Sequence, residues 1–304
     1  MPRVSIGLPV YNGERYLGEA LESLLAQSFE DFELVVLDNA STDSTPGLVE
    51  AIAARDGRVR LVRNAGNIGA APNFNRVFGL TSGEYFKWAA HDDLCDPALL
   101  ERCVEALDAR PDAVLAHARS RIIGEEGEVL EDYDLRLATT SASAAERFET
   151  LLQGHKCFEV FGLIRREALA RTPLIGGYAR GDGVLLIQLA LQGPFVEVPE
   201  FLFFPRRHGS QSMTMVGDAR RYAEWFDPKH RNRLTFPIWR IHFEYLRSIL
   251  RAPLPPSDRR ACLGILGRSA WQRRRLFRGD VLFHVRRALR PGAGRGASRI
   301  GSGS

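Results

Sequence analysis

The chain has 304 residues, 45% hydrophobic and 26% charged, which suits one large domain with an appendage or two domains and excludes a disordered or collagen-like protein. Four cysteines (Cys95, Cys103, Cys157, Cys262) lie far apart without CxxC or Cys/His pairing, which excludes a zinc-finger or disulfide-scaffold class and suits a reducing cytoplasm. The net charge of +4 hides a split, because residues 229–304 hold 18 Lys/Arg against 3 Asp/Glu and so form a basic appendage to a net acidic body.

Residues 4–10, Val-Ser-Ile-Gly-Leu-Pro-Val, read as a buried strand that follows Met1-Pro2-Arg3 with no apolar leader core, so export by a signal peptide is not expected. Residues 15–27 bring Leu17, Leu21, Leu24 and Leu25 to helical spacing. A second strand, 32–38, ends in Asp38, and Thr45 is expected to cap the next helix with Pro46 in its first turn. Residues 59–62 predict a third strand, 72–80 a third helix and 85–90 a fourth strand, and Asp96-Pro97 caps a helix reaching about Arg110. Strands alternating with helices imply an α/β protein, a mostly parallel wound sheet with flanking helices. Further strands are expected at 113–123, 160–164 and 195–204, with helices at 144–153 and about 182–192. The longest uncharged run, residues 183–196, has 14 residues, short of the roughly 18 that a transmembrane helix needs. From about Gly217 onward, Arg-rich helical segments broken by Pro253, Pro255 and Pro256 take over. The expected organisation is a catalytic domain over 1–216, a helical basic extension over 217–290 and a disordered Gly/Ser/Arg tail over 291–304.

In wound sheets, ligands bind beyond the carboxyl ends of the strands. Four ends in succession are polar here: Tyr11-Asn12, Asp38-Asn39, Asn64 with Asn67, and His91-Asp92-Asp93. Adjacent carboxylates repel unless they share a cation. Mg²⁺ and Mn²⁺ take oxygen ligands, commonly one or two carboxylates plus substrate phosphates, so Asp92-Asp93 suits a metal on a nucleotide diphosphate. The same pair also reads as an acidic helix start. Asp38 can accept from a base or ribose donor, whereas Ser41 and Thr42 read as turn chemistry.

Leu8-Pro9-Val10-Tyr11-Asn12, Asp38-x-x-Ser41-x-Asp43, Asn67-x-Gly69 and Asp92-Asp93, in that order, resemble family 2 nucleotide-sugar glycosyltransferases of the GT-A fold, over roughly residues 3–212. The resemblance implies inverting transfer of a sugar from a nucleotide diphosphate donor to an acceptor hydroxyl, in glycan or glycoconjugate biosynthesis, with Mn²⁺ or Mg²⁺ neutralising the leaving diphosphate. It places Pro9, Tyr11, Asp38 and Asn67 at the base, Asp92 at the ribose and Asp93 on the metal. Gly181-Asp182 matches the family's base segment in its Asp only, the commoner version being Glu-Asp. Asp182 would remove the acceptor's proton, and its plain alternative is a helix N-cap. Arg206-Arg207-His208-Gly209-Ser210-Gln211-Ser212 is similar to the segment that supplies basic contacts to the diphosphate, here Arg206 and Arg207, and a His near the metal, here His208. Of the residues before the acidic pair, only His91 is expected to approach the site, with Lys87 and Trp88 as packing.

A nicotinamide oxidoreductase would show GxGxxG after the first strand, and a P-loop enzyme GxxxxGK[ST]; neither occurs. The alternatives are a metal-dependent nucleotidyltransferase of similar architecture and a non-enzymatic nucleic-acid binder using the basic region; the latter leaves the strand-end carboxylates unexplained, and nucleic acid is not an expected partner. In the basic region Cys262, Ile265, Leu266, Ser269, Leu276 and Phe277 recur at helical spacing, with arginines largely around the other side. This pattern admits an anionic membrane surface, packing on the acidic body, or a homodimer contact. The expected location is the cytoplasm or the inner face of the cell membrane. The acceptor, whether glycan, lipid-linked or small molecule, stays open.

Overall fold

Every residue of β1 (Val4–Val10) is buried, as expected of a strand covered on both faces, and the sheet extends to either side of it. The computed structural model describes residues 1–209 and 236–288; the boundary expected near residue 216 and the tail at 291–304 lie outside the described residues. On one side β1 pairs in parallel with β2 (Phe32–Asp38), which pairs in parallel with β3 (Val59–Arg63). On the other side it pairs in parallel with β4 (Tyr85–Trp88). The order β3-β2-β1-β4 continues through β8 (Leu163–Arg165), β6 (Leu115–Ile123), β9 (Phe195–Phe204) and the two-residue β5 (Leu94–Cys95), with β7 (Val129–Tyr133) on β6. β6 and β9 are parallel, whereas β5, β7 and β8 join antiparallel. The parallel half follows from strand-helix crossovers, and the mixed half from short strands entering out of loops.

Side chains alternate across β2, so Leu34 and Val36 join one core layer while Val35 and Leu37 join the other. The first layer takes α1 (Leu17–Leu25), α2 (Thr45–Ala53) and α4 (Leu99–Ala109). The second takes α3 (Ala70–Gly79), α5 (Ala144–Leu151) and α7 (Gly181–Ala190); the short α6 (Arg166–Ala170) follows β8. Each fully buried Leu, Ile or Val contributes about 1.5–3 kcal/mol. Gly7 is required by the approach of α3, since a Cβ there would lie 2.8 Å from a Val77 methyl and 2.9 Å from the Phe86 ring.

Some boundaries differ from the sequence expectation. Ser44, not Thr45, is the N-cap of α2, and its side chain makes no capping bond; the Thr45 hydroxyl accepts from Gly13 N instead (2.9 Å). The strand expected at 160–164 is a 3₁₀ turn, Phe158–Phe161, followed by the three residues of β8.

Three helices, α8 (Pro237–Arg251), α9 (Pro256–Gln272) and α10 (Arg274–Ala288), make up the described basic extension. α8 buries Tyr245, Ser248 and Ile249, and the Tyr245 ring meets Phe148 edge-on at 6.3 Å. α9 buries Cys262, Ile265 and Leu266 into the layer that holds Phe148 and Leu151 of α5. This part of the stripe that suggested a membrane face therefore packs on the body, because it completes a core layer that α5 leaves open. Among the described residues no helix is long and apolar enough to cross a membrane.

Candidate functional site at the carboxyl ends of the strands

Pro9 has no N–H to donate. The β1–β4 ladder stops at Gly7↔Trp88, while β1–β2 runs on to Val10↔Asp38, and the loops after β1 and β2 interlock beyond this point. Asn12, in the left-handed region at φ 51°, accepts from Thr42 N through Oδ1 (2.9 Å) and donates its own N–H to Ser41 Oγ (2.8 Å). Asp43 accepts from Thr45 N (3.1 Å) and Glu14 N (3.2 Å); against the cost of burial, hydrogen bonds from Thr45 and Glu14 hold its carboxyl below the ordinary value. Asp38 is fully buried and accepts from Ser41 N (3.1 Å) and Arg63 Nε (2.9 Å). Tyr11 stands 45% exposed at the mouth of this arrangement.

The asparagines after β2 and β3 form one network with Asn73, buried at Asn39, Asn64 and Asn73 and exposed at Asn67. Asn39 donates to Asn67 Oδ1 (2.9 Å) and accepts from Asn64 (2.8 Å) and Ile68 N (3.0 Å). Asn64 also donates to Asn73 Oδ1 (2.7 Å) and accepts from Arg76 (2.6 Å), and Asn73 donates to Leu37 O (3.1 Å). Asn67 Oδ1 further accepts from Gly69 N (2.9 Å), and Gly69, at φ 90°, turns the chain into α3. Asn67 thus shapes the loop with the same carboxamide that the sequence reading offered to a base.

The acidic pair is bound to the segment after β9. Asp93 Oδ1 accepts from Arg206 N (2.9 Å), Asp92 O accepts from Arg206 Nε (3.0 Å), and His208 Nε2 lies 2.9 Å from Asp92 Oδ2. Against the cost of burial, the hydrogen bond from His208 and the charge of His91 hold Asp92 below the ordinary value. Burial, then the Asp92 charge, push the Asp93 carboxyl well above it. Arg206 is buried, and its guanidinium donates to Glu125 O (2.7 Å) and Glu19 Oε2 (2.7 Å) beneath the Tyr16 ring (4.8 Å). The expected direct diphosphate contact from Arg206 is corrected to bracing, since these partners already occupy its fork. Arg207 is the outward member, 3.6 Å from Glu131.

Two further residues belong here. Lys87 packs as a buried cation: it donates to Phe161 O and lies over the Phe203 ring (5.3 Å), and its charge lowers the Asp93 carboxyl against burial. The Tyr16 ring meets that of His208 at 4.8 Å in a tilted contact; the sequence showed Tyr16 only as part of the helical stretch 15–27. His91 approaches as expected, Nδ1 at 4.0 Å from Asp92 Oδ1.

Asp182 is not the N-cap of α7; Arg180 is, in the left-handed region at φ 65°. Asp182 Oδ1 accepts from Gly183 N (2.8 Å), and burial pushes its carboxyl above the usual value. Cys157, at φ 58°, lies beneath this helix start, its Sγ within 3.4 Å of where a Cβ on Gly183 would stand. The buried His155 holds Nδ1 3.4 Å from Glu159 Oε2. The turn Phe158–Phe161 therefore joins the two clusters, touching Lys87 through Phe161 and His155 through Glu159.

The donors suit a divalent ion: two carboxylates and an imidazole, with a repulsion on Asp93 that a cation would relieve. Among the described residues no three His, Cys, Asp or Glu side chains form a ready metal cage. Mg²⁺-type sites complete their shell from substrate phosphates, so such an ion would need fewer side chains than a full cage.

The sequence model of glycosyl transferase family 2 matches residues 5–172. The chain is 32% identical over 146 residues to the putative glycosyltransferase EpsE of Bacillus subtilis, covering 48% of this chain and 50% of that protein. It is 31% identical over 169 residues to an uncharacterized glycosyltransferase of Haemophilus influenzae, covering 56% and 64%. The chain thus spans half to two-thirds the length of these relatives. Among solved structures, S. aureus TarS 1–349 in complex with UDP-GlcNAc superposes with a TM-score of 0.67 at 15% identity, covering 93% of this chain and 81% of that one. The mannosyltransferase PcManGT of Pyrobaculum calidifontis, in complex with GDP-Man and Mn²⁺, gives 0.55 at 17% identity, covering 94% and 84%. The architecture is the GT-A fold, and with more than half of its length matched by the family's pattern, the chain belongs to glycosyl transferase family 2.

Proposed function

We propose that the chain is an inverting glycosyltransferase that moves a sugar from a nucleotide diphosphate donor to an acceptor hydroxyl in glycan or glycoconjugate biosynthesis. The observation that carries this reading is the union of Asp92-Asp93 at the end of the fourth strand with Arg206-Arg207-His208 from beyond β9, beside the crevice where wound sheets take ligands. Neighbours in complex with UDP-GlcNAc, or with GDP-Man and Mn²⁺, support it.

In this reading Pro9, Tyr11 and the loops held by Asp38 and Asn67 form the nucleotide side, with Asp92 toward the ribose. Asp93 and His208 hold Mn²⁺ or Mg²⁺, and Arg207 meets the diphosphate. When bound, the ion supplies positive charge for the leaving diphosphate. Asp182 takes the acceptor's proton: burial raises its basicity, and the bond from Gly183 N fixes one oxygen so that the carboxylate is positioned for transfer.

The test is a panel of uridine, guanosine and thymidine diphosphate sugars with Mn²⁺, read by thermal shift and by nucleoside diphosphate release. Stabilisation by one donor and release of its nucleoside diphosphate are expected. Release of pyrophosphate instead would assign nucleotidyl transfer, and stabilisation by none of the panel would remove the donor site.

A further inference from the structure

Helix α8 has two faces of opposite character. Tyr245, Ser248 and Ile249 point into the body, while Trp239, Phe243, Leu246 and Leu250 recur at helical spacing on the opposite side, 50, 58, 37 and 57% exposed. They form an apolar stripe about 16 Å long. A protein surface rarely leaves such a stripe open unless something binds it.

Its surroundings are basic. Arg240, Arg247 and Arg251 fall along one flank of the stripe at 100° per residue. α10 packs beside it, with the Phe277 ring 4.8 Å from that of Trp239, and adds Arg274, Arg275 and Arg278. Residues 236–288 hold 12 arginines against three acids, Glu244, Asp258 and Asp280. Glu244 is buried under Arg240 and Arg247 (2.9 and 3.8 Å), and Asp280 accepts from Ile238 N (3.0 Å).

We propose that the outer face of α8, with the adjoining arginines of α10, seats the protein on an anionic bilayer. The aromatic and leucine side chains enter the headgroup boundary and the arginines engage lipid phosphates. Charge selects this occupant, because a second copy of the chain would bring the same arginines against one another across a two-fold contact. Arg240 also lies over the Tyr178 ring at 4.9 Å, so α8 adjoins the loop that leads into Asp182, and seating it would bring that loop to the lipid surface. The proposal does not depend on the donor reading.

The test is flotation of the full chain with vesicles of phosphatidylcholine alone and of phosphatidylcholine with phosphatidylglycerol, at low and high salt. Flotation with the anionic vesicles only, reversed by salt, is expected. Phe243→Ser with Leu250→Ser should lower partitioning roughly tenfold or more at unchanged melting temperature and unchanged donor hydrolysis in solution. Arg251→Gln and Arg278→Gln should each lower it about fivefold. Tryptophan emission gives an independent reading, a blue shift and quenching by brominated lipid that Trp239→Phe diminishes. Equal flotation with both vesicle types, none with either, or wild-type flotation of the double serine variant would overturn the proposal. A dimer in light scattering that the double variant dissociates, without flotation, would make a second copy the occupant and overturn it as well.

Discussion

His208 Nε2 lies 2.9 Å from Asp92 Oδ2, joining residues 116 apart in the chain. The contact, with the Arg206 N–H on Asp93, places the segment after β9 on the acidic pair; the bond from His208 helps to hold Asp92 low, whereas burial and the Asp92 charge push Asp93 high against the lowering effect of the Arg206 N–H.

Asp93 gives the first prediction. A carboxyl raised in the folded state binds a proton there more readily than in the unfolded chain. It therefore costs stability at neutral pH, and stability returns as pH falls through the raised value. Asp93→Asn in chelator should melt at or above the wild type, yet lose the stabilisation by Mn²⁺ that reaches about 2.7 kcal/mol at a hundredfold excess over Kd. Melts with and without Mn²⁺ read both effects; a full metal response in the variant would move the ion elsewhere.

Asp182→Asn should keep the thermal shift given by donor while losing roughly 10² to 10⁴ in transfer rate. The base works ionised and its carboxyl is raised, so the acid limb of kcat should lie above the ordinary value of about 4. The linkage has the same sign as at Asp93: stability rises as pH falls through the raised value, and the amide removes that slope. Near-normal turnover would assign the proton to another group, with Glu159 the next to substitute.

Asn64→Ala leaves the buried Asn73 Oδ1 without its Asn64 donor and takes one of two donors from Asn39 Oδ1, which keeps Ile68 N, while the exposed Arg76 can turn to water. Each buried group left unpaired costs about 1–3 kcal/mol. Denaturant unfolding should show a loss within or above that range, and donor affinity should fall because the Asn67-Gly69 turn depends on the network. A neutral variant would mean that water replaces the carboxamide.

Ile265→Ala should destabilise by about 2–5 kcal/mol, since Ile265 shares a core layer with Phe148 and Leu151. Deleting everything after Pro255 should lower the melting temperature for the same reason, instead of sparing the body as expected of a detachable membrane helix. An unchanged melt in both variants would show that α9 packs only loosely.

What the sequence revealed was local. The alternation of β2, the unbroken apolar run of β1 and the polar strand ends follow from periodicity within a few residues, and they mark the carboxyl edge of the sheet. The asparagines after β2 and β3 were found for the same reason, but not that their carboxamides bond one another. The settings of Arg206 and Lys87 are not legible locally because their partners come from distant segments: Glu19 and Glu125 for one, Phe161 and Phe203 for the other. A basic residue beside a polar motif has the same local sequence whether it faces solvent or braces a loop. The outer stripe of α8 is less conspicuous in the sequence than the richer arginine runs that follow it.

Pro9 has a consequence for the seam between β1 and β4. The last bond there runs from Ala89 N to Gly7 O (2.9 Å), and the next rung would need an amide hydrogen that Pro9 does not have. Past Gly7, β1 can offer β4 a carbonyl but no donor, a limit written into covalent structure that no repacking of side chains removes.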